Sequence, residues 1–103
     1  MNRNTMLACV AIRIDAARIA VTITRRNGDG ADGILERLIA GDLGVVYGLA
    51  RASGEQLIAG EVEEMMLLAL GREWMLLGLA LDEFDRAWLQ GATRAGKDMS
   101  DEY

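Results

Sequence analysis

From Leu67 to Trp88 the apolar residues fall at Leu67, Leu70, Trp74, Leu77, Leu81, Phe84 and Trp88, an alternation of three- and four-residue steps that predicts one face of an α-helix. Gly71, Gly78, Ala80 and Ala87 flank this stripe with small side chains that let another helix approach. Leu68, Met75, Leu76 and Leu79 make a second apolar surface. One small core does not cover both faces, so the pattern predicts a partner chain, with the seven stripe residues as the interface. Upstream the rhythm changes. Ile12 and Ile14 alternate with Arg13, and Ile19, Val21 and Ile23 alternate with Ala20, Thr22 and Thr24, which predicts strands over 7–14 and 18–25 joined at Asp15-Ala16-Ala17. A lone two-stranded hairpin is marginal in water, so its isoleucine face must lie on helices or extend into a sheet with another copy.

The expected fold class is therefore α+β: one domain over 1–103, with an N-terminal β-hairpin (1–26), a mostly helical bundle (34–92) and a polar tail (96–103). Between hairpin and helices, Asn27-Gly28-Asp29-Gly30-Ala31-Asp32-Gly33 reads as a flexible connection, with Asp32 as N-cap of a short helix carrying Ile34, Leu35, Leu38 and Ile39. Gly41 is expected to stop that helix, and Asp42 to cap the next element. Residues 43–52 read as helix from Leu43, Val46, Tyr47 and Ala50, although Val45-Val46-Tyr47 also suits a short strand. Ser53 with Gln56 makes a capping-box pattern ahead of Leu57, Ile58, Val62, Met65, Met66 and Ala69. Gly71 either closes that helix in a tight turn or lies inside a longer one running to about Ala92; the continuous phase of the stripe favours the second.

Composition narrows the chemistry. At 103 residues the chain is one domain by length, and a chain of that size buries roughly two-thirds of its unfolded surface. There is no histidine, which excludes histidine-based triads and zinc sites, and the single Cys9 has neither a disulfide partner nor a base to activate it. Cys9 reads as a small buried apolar residue. Met6-Leu7-Ala8-Cys9 has the look of a lipoprotein cleavage box, but five preceding residues do not make a charged segment and an apolar core. The two most apolar runs, Met65–Gly71 and Trp74–Leu81, are separated by Arg72 and Glu73 and fall short of the roughly 20 residues a membrane span requires. No membrane segment and a cytoplasmic location are expected.

The net charge of −5 is unevenly spread, with five arginines against one aspartate in 1–26 and fifteen acids against six bases in 27–103. An acidic chain is not expected to bind nucleic acid through a broad phosphate-neutralising surface. Gly28-Asp29-Gly30-Ala31-Asp32-Gly33 has G-x-G-x-x-G spacing, yet its two aspartates repel a pyrophosphate and 103 residues leave no room for the usual parallel sheet. No cofactor is expected. Nor is it a calcium loop, since its acids miss the EF-hand positions. Gly44 and Gly48, four apart, permit close helix contact; Met65, Met66 and Met75 suit core filling or an adaptable surface; Trp74 and Trp88 suit an interface.

Glu61 with Glu64 and Asp82 with Asp85 each place two carboxylates three residues apart, a spacing that grips a divalent cation if the two helices pack together. Here the sequence resembles the all-α MazG-like nucleoside triphosphate pyrophosphatases, whose E-x-x-E and E-x-x-D motifs hold magnesium. That resemblance implies Glu61, Glu64, Asp82 and Asp85 as metal ligands, with aspartate at the third position. The preferred reading is a solvated acidic face with no metal and no catalysis.

Ile34-Leu35-Glu36-Arg37-Leu38-Ile39-Ala40-Gly41-Asp42-Leu43-Gly44, preceded by the expected hairpin and followed by helices, resembles the tail assembly chaperones of long-tailed phages and gene-transfer agents. The resemblance covers the hairpin and residues 34–70. It implies a small non-enzymatic protein that transiently binds an aggregation-prone partner. The expectation is thus a protein-binding homo-oligomer, with two alternatives: an acidic inhibitor, such as an antitoxin or phage anti-defence protein, that blocks a basic site, or the magnesium-dependent pyrophosphatase.

Overall fold

Residues Leu7, Val10, Ile14, Ala17, Val21 and Thr24 are all buried, and their steps of three and four are those of a helix. In the computed structural model, which describes residues 2–27 and 33–90, α1 runs unbroken over Arg3–Asn27. The expected hairpin is thus corrected. Among the described residues there is no strand, and the fold is an all-helical bundle rather than α+β. The physical reason lies in the composition of the segment, which has no glycine or proline and is rich in alanine and arginine, strong helix formers. The threonines that suggested a strand satisfy themselves within the helix. Thr22 Oγ1 donates to the Arg18 carbonyl and the buried Thr24 Oγ1 to that of Ala20, each at 2.9 Å. Asn2 Oδ1 accepts the Thr5 amide at 2.8 Å and caps the start.

α2 (Ile34–Ala52) is a single helix and not two elements: Ile39, Leu43, Val46 and Ala50 are fully buried in steps of four and three. Gly41 does not stop it, because one glycine costs only about 1 kcal/mol against this buried stripe. Its end is fixed by Gly54 at φ 73°, where the Gly54 amide donates to the Arg51 carbonyl and the Glu55 amide to that of Ala50. Ser53 therefore belongs to this C-terminal turn, and the expected capping box with Gln56 is not made.

α3 (Gln56–Leu70) ends at Gly71, so the predicted continuous helix is two helices. The left-handed position of this turn is Arg72, at φ 56°, whose amide donates to the Ala69 carbonyl while that of Glu73 donates to Leu68. α4 (Trp74–Phe84) follows and passes into a π-helical turn, α5 (Asp85–Leu89), where the Gln90 amide reaches the Asp85 carbonyl.

Each helix packs on the next, and α4 with α5 returns against α1, which closes a ring of helices around one core. The core draws Met6, Val10, Ile14 and Val21 from α1, four residues from α2, Ile58, Val62 and Met65 from α3, and Leu77, Leu81, Phe84 and Leu89 from the last helices. Exposed ion pairs tie its edges: Arg13 to Asp42 at 3.2 Å, Arg18 to Asp82 at 2.9 Å, Arg72 to Glu36 at 2.8 Å and Arg3 to Glu55 at 3.0 Å. Among the described residues no helix is long and apolar enough to cross a membrane.

Candidate interaction surface

Opposite the core-facing stripe, α1 carries a second one. Ile12, Ala16, Ile19 and Ile23 follow one another in steps of four, three and four, the spacing of a coiled-coil seam, and all are exposed, Ile12 by 69% and Ile19 by 62%. The ridge they form separates two grooves. Toward α2, Cys9, Ile12 and Ala16 face Val45 and Leu49 beside the Arg13–Asp42 pair. Toward α4, Ile19, Val21 and Ile23 face Gly78 and Leu79 across a groove of about 660 Å³ bordered by Arg18, Arg25 and Asp82.

A different groove lies between α3 and α4. Met65, Leu68, Ala80, Phe84 and Ala87 line it together with the carboxylates of Glu61, Glu64 and Glu83. The π turn shapes its far end. Its extra residue advances the register, so Leu89 rather than Trp88 enters the core, and Trp88 moves to the margin, where Nε1 donates to Glu61 Oε2 at 2.8 Å.

The seven predicted interface residues therefore do not share one face. Leu77, Leu81 and Phe84 are buried in the chain's own core; Trp74 and Trp88 are partly buried against it; Leu67 and Leu70 are exposed on α3, Leu70 by 81%. Leu70 instead lines an apolar groove with Ala40, Met66 and Ala69 at the α2–α3 edge.

The four acids considered as metal ligands are also divided. Asp82 and Asp85 turn toward α1, where Arg18 reaches both, at 2.9 and 3.7 Å, and also Asp15 at 3.7 Å. Glu61 and Glu64 face the other side of α4. Among the described residues no group of three or more histidine, cysteine or acidic side chains is placed to hold a metal ion.

Cys9 is half-buried and free. Met65 is buried, Met66 half-buried and Met75 exposed. Gly44 and Gly48 face open space, so no helix packs closely on them within the chain. In the glycine-rich connection Gly28 to Asp32, and with them the expected Asp32 cap, lie outside the described residues, as does the 96–103 tail; Gly33 precedes α2 with φ 60°. The α1 ridge went unread in the sequence, although its signal, isoleucine and alanine at 12, 16, 19 and 23, was present.

No protein-family model matches the chain, and neither curated proteins nor solved structures provide a match.

Proposed function

We propose that this is a non-enzymatic protein-binding module that self-associates through its exposed apolar helix faces. The observation that supports this reading is the α1 ridge: a second seam-spaced stripe on a helix whose other side already completes a core. Soluble monomers seldom leave such contiguous apolar surface uncovered, and a seam of this spacing suits a further helix better than a small ligand. A chaperone-like role toward a different protein would use the same kind of surface; that reading now draws on residues 34–70 alone, because the hairpin part of the resemblance is helical here.

Light scattering behind a sizing column, over a concentration series, tests the reading. A mass of at least twice 11.2 kDa is expected. Ile19→Glu, on an exposed position, should lower it while leaving the helical circular dichroism unchanged. A wild-type chain that stays at 11.2 kDa throughout would overturn self-association.

A further inference from the structure

We infer that copies of this chain associate head to tail, the α1 ridge of one copy lying in the α3–α4 groove of the next. The inference rests on the self-association proposed above and specifies its geometry.

Apolar shape alone leaves two choices, since the ridge also fits a second ridge. On the groove side, Ala80 and Ala87, seven residues apart on one face of the last helices, leave space for an incoming helix above Leu68 and Phe84. On the ridge side, Ile12, Ile19 and Ile23 supply the side chains to fill it.

Charge decides between them. Arg3, Arg13 and Arg18 of α1 are already paired with acids of the same chain, which leaves Arg25 and Arg26, and two α1 helices laid side by side in parallel bring these like charges together. α3 carries three glutamates and no base, and residues 74–90 carry three acids and one arginine. Arg25 and Arg26, next to Ile23, form no ion pair among the described residues, and neither do Glu64 and Glu83 at the groove. Basic ridge and acidic groove are therefore complementary, each holding charges that the fold leaves open. Within one chain the ridge borders α2 and the Gly78–Leu79 side of α4, whereas the α3–α4 groove is lined by no residue of α1, so a copy does not fill its own groove. Each contact leaves one ridge and one groove unfilled, and growth stops only if the rotation closes a ring.

Two charge-reversal variants test this, both at exposed positions: a ridge variant, Arg25→Glu with Arg26→Glu, and a groove variant, Glu64→Lys with Glu83→Lys. Each alone should associate about tenfold or more weakly than the wild type. Their equimolar mixture should regain the wild-type mass, because reversed ridge meets reversed groove and native ridge meets native groove. Circular dichroism confirms that both variants are folded. Unchanged association of the groove variant alone would overturn this geometry, because the α3–α4 groove would then not be part of the contact. No effect of either variant would overturn the inference while leaving self-association standing, whereas a monomeric wild type would remove both.

Discussion

The Trp88 indole N–H donates to Glu61 across the α3–α4 boundary at 2.8 Å, and it does so because the π turn over 85–89 rotates Trp88 out of the core and Leu89 in. Without that turn the 77–81–84 stripe continues to residue 88, as the sequence pattern implies. The bond is exposed, so its net contribution is about 0.5–1 kcal/mol. Trp88→Phe and Glu61→Ala should each lower stability by that amount, and a double-mutant cycle in urea should show that the two losses are not additive. Strict additivity would mean that the contact contributes nothing.

The split of the 67–88 stripe has a direct consequence for mutagenesis. Leu77 and Leu81 are fully buried, so Leu81→Ala should cost about 2–5 kcal/mol through lost burial and the cavity left behind. Leu70 is 81% exposed, and Leu70→Ala should stay within about 0.5 kcal/mol. Thermal unfolding of the two variants side by side checks this. Equal destabilisation would restore a single face.

Much of the helical half was legible. The stripes of 56–70 and 74–84 carry an unmistakable 3.6-residue period, and the buried members of α4, Leu77, Leu81 and Phe84, were all on the predicted face. α1 was misread for a physical reason. Residues two apart on a helix point roughly 200° apart, so a helix apolar on both sides places Ile12 and Ile14, or Ile19, Val21 and Ile23, on alternating faces as a strand does. Counting steps of three and four separates the two stripes. The absence of glycine, proline and asparagine around Asp15-Ala16-Ala17, where Asp15 alone favours a turn, also argued for helix. The break at Gly71 was ambiguous because the apolar spacing runs on through it, from Leu70 to Trp74 to Leu77 in steps of four and three, although Leu70 is exposed and Leu77 buried. The π turn has no sequence signature, and the expected seam depended on both.

The placement of the acids bears on magnesium. Arg18 holds Asp82 through both Nε, at 3.0 Å, and Nη2, at 2.9 Å, on the α1 side of α4, away from Glu61 and Glu64. Millimolar magnesium should therefore leave the melting temperature unchanged, and Glu64→Ala or Asp85→Ala should not alter that response. A magnesium-dependent rise abolished by either variant would bring the four carboxylates back as a metal site.

Two glycines with opposite backbone demands give the sharpest test of the helix boundaries. Gly44 lies inside α2 with helical backbone and open space where a Cβ would stand, so Gly44→Ala should stabilise the protein by about 0.5–1 kcal/mol by restricting the unfolded chain. Gly54 also faces open space, but its φ of 73° places it in the left-handed region, where a Cβ costs roughly 1–2 kcal/mol. Gly54→Ala should therefore destabilise by about that much, although it adds the same methyl group. Chemical denaturation of the two variants reads both signs. If Gly44→Ala destabilised instead, α2 would be interrupted near residue 44, as the alternative strand over Val45-Val46-Tyr47 requires; if Gly54→Ala were neutral, the turn that sets α3 against α2 would not be the left-handed one seen here.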